Sequence, residues 1–198
     1  GAAGIFFFFL LGATGTLQLE LTDAPLVIDG ETVTEVNVTI AKVMVSYGTS
    51  EQELADITDP GEYYDPQLTQ NQISGEDADW MIVSEEPREF NLLDLQNGVT
   101  EILQQASLPA GRYNQIRLIL NETNGIVFDG DTTEYELKIP SSSESGVKLV
   151  GGFEIPEDGI TRIVLDFDVQ QSVEINIGAE NPYILHPTVK IVTAEPQE

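Results

Sequence analysis

The chain has 198 residues, 41% of them apolar, and carries 34 Asp and Glu against 8 Lys and Arg, a formal charge of −26. That apolar content supplies the core of one medium domain and excludes disorder of the whole chain. A negative field of this size repels nucleic acid and anionic membrane surfaces, whose binding depends on Lys and Arg, and suits surroundings salty enough to screen the self-repulsion. The lack of Cys removes disulfides, thiolate metal sites and cysteine nucleophiles.

The first segment, GAAGIFFFFLLGATG, has neither Met nor a basic flank and reads as a processed end of an exported chain, not as an intact signal peptide. Its apolar run is Ile5, Phe6, Phe7, Phe8, Phe9, Leu10 and Leu11. A membrane-spanning helix needs about 20 residues, so a strand fits the run better. Ile5, Phe7, Phe9 and Leu11 would form one face and Phe6, Phe8 and Leu10 the other, and such a strand requires burial on both sides. Residues 1–14 are therefore expected to act as an arm donated to a neighbouring subunit, or else as a core strand of their own domain or a retained piece of signal sequence, with Gly12 and Gly15 marking a flexible joint to the domain of residues 15–198.

From Gly15 onward the pattern has period two. Leu17, Leu19 and Leu21 alternate with polar residues, as do Val36, Val38 and Ile40; the phase then slips, so that Val43 and Val45 continue the row and a β-bulge is expected near Ala41 and Lys42. Residues 48–79 are acidic and aperiodic, far longer than an ordinary connection. Trp80 opens the next apolar run as a core or rim residue. Gly98 and Pro109 bracket VTEILQQASL, predicting a helical turn or two over residues 97–105, the one short helix expected. Further strands are read from Ile116/Leu118/Leu120, Tyr135/Leu137/Ile139, Val147/Leu149/Phe153/Ile155, Ile163/Leu165/Phe167 and a single run from Tyr183 to Ile191. Many short strands with Asp-Gly, Gly-Gly and Asn-Pro punctuation predict an all-β fold, a β-sandwich of immunoglobulin-like or jelly-roll-like type.

Several segments in order, GTLQLELTDAP (15–25), VNVTIAKVMV (36–45), NLLDLQNGVTEIL (91–103), LPAGRYNQIRLIL (108–120), IVLDFDVQQSV (163–173) and YILHPTVKIV (183–192), resemble the family of domain of unknown function 4382. The resemblance implies a β-sandwich of secreted or surface-tethered bacterial and archaeal proteins, and implies no reaction. Members often carry a lipidated Cys shortly before the GTL strand; here IFFFFLLGAT stands in that place.

Asp166 and Asp168, on either side of Phe167, are expected to project together from the face opposite the core, a solvated pair able to contribute to a Ca²⁺ site. His186, the sole histidine, is expected on a polar strand face, too isolated for a metal cluster or a catalytic triad. Asn37 and Asn121 begin Asn-X-Thr glycosylation sequons. The functional expectation is a non-enzymatic subunit of an extracellular, pilus-like filament, whose N-terminal strand is donated to an identical neighbour in a head-to-tail homopolymer. Membrane contact would be confined to export or anchoring. The rival expectation is a monomeric, membrane-proximal adhesin or ligand-binding module with residues 48–79 as its contact loop.

Overall fold

A computed structural model describes residues 12–23, 32–47, 80–122, 124–140 and 146–197. The expected strand of residues 5–11 and the acidic loop of residues 48–79 lie outside them.

The alternating rows become strands because each has one apolar face to bury. Strand β1 (Thr14–Thr22) buries Leu17, Leu19 and Leu21, and the long β2 (Val33–Tyr47) buries Val36, Val38 and Ile40 and then Val43 and Val45. The phase slip in β2 is a bulge: Ile40 and Lys42 face consecutive residues of β6 (Gly111–Leu120), leaving Ala41 as the extra residue. Strands β3 (Trp80–Ser84) and β4 (Arg88–Asn91) pair with the opposite side of β2. A 3₁₀ turn (Leu92–Leu95), capped by the Asn91 side chain, then leads toward β5 (Glu101–Pro109).

Two sheets pack face to face. One has the order β13–β10–β1–β5, with β10 (Ile160–Phe167) parallel to β1 and β13 (Val189–Gln197) on its edge. The other is built on β2 and β6, continued by β7 (Gly125–Phe128) and β8 (Tyr135–Glu136) at one end and by β9 (Val147–Ile155) at the other. A small ribbon pairs β11 (Val173–Ile175) with β12 (Tyr183–Leu185). Between the sheets lies a single core that includes Leu19, Val45, Phe90, Tyr113, Ile116, Leu118, Leu165 and Phe167. This is the all-β sandwich that the sequence predicts. Among the described residues no helix is long and apolar enough to cross a membrane.

Three local expectations are corrected. Residues 101–109 form a strand, not a helical turn, because they pair with β1 along its whole length. The run from Tyr183 to Ile191 is two strands in different sheets, broken around Pro187. In the row expected from Tyr135 to Ile139 the strand spans only two residues, with Tyr135 exposed and Leu137 buried. The expected helix is replaced by the 3₁₀ turn and by one turn of α-helix, α1 (Val169–Ser172).

Candidate functional site

Two places carry the chemistry expected from the sequence: the joint where residues 1–11 meet the body, and the corner where β10 ends.

At the joint, Ala13 O accepts from Ala110 N–H at 2.8 Å and Thr14 O from Asp158 N–H at 2.9 Å. The N-terminal entry thus sits between the β5–β6 and β9–β10 turns, the end of the sandwich that also holds Gln197, the partner of Ile160. Gly15 is fixed there. A Cβ on it would strike the Pro156 carbonyl oxygen and the Ile155 side chain, whereas Gly12 has open space around it. Gly12, Ala13 and Thr14 are exposed, so an exposed joint precedes a buried anchor.

At the corner, Asp166 and Asp168 do not form the solvated pair expected from period two. Phe167 is buried, as predicted, but so are both aspartates, at 7% and 8% exposure. The reason is that β10 stops between them. Asp166 Oδ2 binds Lys190 Nζ at 2.9 Å from β13. Asp168 caps α1, accepting from Gln171 N–H at 3.1 Å and from Gln171 Nε2 at 2.6 Å, and such capping satisfies amides that a helix end leaves bare. The sequence reading missed a third carboxylate. Asp23, just past β1, is 4% exposed, and its Oδ1 accepts from Val169 N–H at 3.0 Å. Its own N–H donates to Leu95 O at 3.1 Å, so it ties β1, the 3₁₀ turn and α1 together. Burial, with Asp166 and Asp168 nearby, pushes the Asp23 carboxyl up to about 6 despite the Val169 amide and the Gln96 side chain, which favour its charge. Asp23 Oδ2 and Asp166 Oδ1 are buried without a hydrogen-bond partner. Among the described residues no three His, Asp or Glu side chains are placed to hold one metal ion.

The other singled-out residues are dispersed. His186 is exposed, with Nε2 3.3 Å from Glu174 on β11. Trp80 is buried under the guanidinium of Arg117, 4.4 Å from its ring centre. Asn121 is exposed just after β6, while the Asn37 amide, inside β2, donates to Glu35 at 3.1 Å and to Glu134 at 2.9 Å. Glu89, Glu122, Glu134 and Glu136 border an open cleft of about 360 Å³, a surface with no cationic side chain among its lining residues.

No curated protein matches the chain. A family model does, over residues 14–187, which span the body from the first residue of β1 to just past β12. The chain therefore belongs to the family described as a domain of unknown function, DUF4382.

Proposed function

We propose that this protein is a structural, non-catalytic subunit of an extracellular filament, joined head to tail to identical copies when residues 2–13 of one subunit add as a strand to the next. The observation that carries this reading is the apolar run Ile5–Leu11, apolar on both faces of a strand and attached to the body through the exposed Gly12–Ala13 joint. Main-chain hydrogen bonds and buried Phe rings would supply the affinity of such an addition.

The edges of the body support the same reading. Unprotected edge strands pair promiscuously, and three of those described, β5, β9 and β13, are covered or interrupted. The Arg88 guanidinium takes the Ile102 and Leu103 carbonyls of β5. Strand β9 is bulged at Gly151 and Gly152, and β13 at Val192. Such interruptions disfavour pairing of one body with another along a whole edge. Where β9 and β13 meet, next to the Gly151–Ile191 approach, Val150 and Val192 stand exposed at 82% and 56%, apolar surface that suits an added apolar strand.

The test compares the full chain with a chain lacking residues 1–13, by electron microscopy and light scattering. Filaments from the first and folded monomers from the second are expected. Monomers from both would overturn the proposal in favour of a monomeric surface module, and loss of folding in the shortened chain would make the leader part of its own core.

A further inference from the structure

Asp23, Asp166 and Asp168 come from two segments far apart in sequence, and all three are more than nine-tenths buried at one corner of the sandwich. If all were ionised they would carry three negative charges against one cation, Lys190, which is committed to Asp166. Asp168 is compensated by the α1 amide and by Gln171. Asp23 receives only uncharged donors, the Val169 amide and the Gln96 side chain. The surplus shows at the atoms: Oδ2 of Asp23 and Oδ1 of Asp166 have no donor at all. A buried carboxylate oxygen without a donor is costly, and either a bound cation or a proton relieves it.

The geometry chooses between them. A divalent ion needs several oxygens converging on one point, and no such convergence exists among the described acidic residues. One proton, in contrast, needs only one oxygen. Oδ1 of Asp23 is engaged by the Val169 amide, which leaves Oδ2 as the free position.

We propose that Asp23 is a proton-binding site, a pH-operated clasp that holds the end of β1 to the β10–α1 corner when protonated and loosens that corner when ionised. The groups facing it are Asp166 of β10, itself bound to Lys190 of β13, Asp168 at the start of α1, and the neutral Gln96 beyond the 3₁₀ turn. Asp94 of that turn is exposed, and the sole histidine, His186, is taken up with Glu174.

The sign follows from linkage. Asp23 titrates near 3.8 when unfolded and near 6 when folded, so the folded state holds the extra proton between those values and loses stability as pH rises across them. Once the pH passes about 6 the loss is complete.

The test uses the full chain and its Asp23→Asn variant, in which the side-chain oxygen still accepts from Val169 and the charge is gone. Carbon-13 NMR of the wild-type carboxyls should show one Asp titrating near pH 6, its signal absent from the variant. Unfolding constants from urea titrations should diverge with pH: relative to Asp23→Asn, the wild type should lose about 100-fold between pH 4 and pH 7, a tenfold change per pH unit over the gap. The protection factor of the Val169 amide, in which the base-catalysed intrinsic exchange rate is divided out, should fall in the wild type between about pH 4 and pH 6 and stay flat in the variant. Parallel pH profiles, with no carboxyl titrating above pH 5, would overturn the proposal. So would Ca²⁺ at pH 7.5 stabilising the wild type but not Asp23→Asn, since that result makes the corner a cation site. If the variant fails to fold, the wild-type NMR titration still decides.

Discussion

The ion pair between Glu20 and Arg162 should be a measurable source of stability, unlike most surface pairs. Glu20 sits in β1 on the side away from the core, yet only 5% of it is exposed. Its Oε1 accepts from Arg162 Nε at 2.6 Å and Gln18 Nε2 at 2.7 Å, and its Oε2 from Arg162 Nη2. This forked contact, the geometry in which Arg binds carboxylates most strongly, holds the Glu20 carboxyl down to about 2 from 4.5, against the opposing effect of burial. At about 1.4 kcal/mol per pH unit the upper bound is roughly 3.4 kcal/mol. Arg162 is one-third exposed, at 34%, and water screens it, so the expected loss for Glu20→Gln at pH 7 is about 1–3 kcal/mol. Urea unfolding of wild type, Glu20→Gln, Arg162→Met and the double variant would isolate the coupling. A lowered folded value means that the contribution is present above pH 4.5 and is lost as pH falls from there toward 2. Wild type and Glu20→Gln should therefore converge in acid. A variant as stable as wild type at pH 7, or a gap that persists undiminished at pH 2, would refute the reasoning.

Two further substitutions probe the joint and the guarded edge. Gly15→Ala places a methyl against the Pro156 carbonyl and Ile155 and should cost about 1–3 kcal/mol in urea or thermal unfolding, whereas Gly12→Ala, with nothing nearby, should leave the midpoint unchanged. Arg88→Met keeps the apolar stem but frees the Ile102 and Leu103 carbonyls and removes the cation that lies 5.1 Å from the Phe90 ring centre. It should cost about 1 kcal/mol and, if the shortened chain lacking residues 1–13 carries it, turn a monomer into an associating species by light scattering.

The sandwich was legible wherever one face of a strand follows a strict alternation. Leu17, Leu19 and Leu21 are buried as their spacing requires, and the slip at Ala41 could be read because the apolar rows on both sides of it are strong. Strand β5 was illegible for the same physical reason in reverse. Its buried leucines, Leu103 and Leu108, lie five residues apart, and a bulge at Leu103 destroys the period. What remains, VTEILQQAS, contains the good helix formers Glu101 and Leu103 to Ala106, and pairing with β1 overrides their preference. The two aspartates beside Phe167 were misplaced because alternation assumes a strand that continues, and β10 gives way to α1 at Asp168. Asp23 carries no local signal. It meets Val169 across 146 residues, through the parallel pairing of β1 with β10, and a long-range parallel register leaves no mark in either segment alone.

The four buried acids of the described chain show how so negative a protein closes its core. Glu20 is matched by a guanidinium, Asp166 by an ammonium, and Asp168 by the amides of a helix start, in each case a positive charge or an amide dipole that tolerates the carboxylate form. Asp23 comes last in this series. Its Oδ2 has no hydrogen-bond partner, its neighbours are two of the other acids, and its carboxyl is pushed upward where that of Glu20 is held down. With 8 basic residues against 34 acidic ones, Asp168 and Asp23 both go without a cation, and of the two only Asp168 has a donor on each oxygen. A proton then becomes the available counter-charge, and one corner of the fold acquires a dependence on pH opposite in sign to that of Glu20, three residues earlier on the same segment of chain. Stability set by these two carboxylates should peak near pH 4, where the gain from Glu20 levels off toward its unfolded value of 4.5 and the loss from Asp23 sets in at its unfolded value of 3.8.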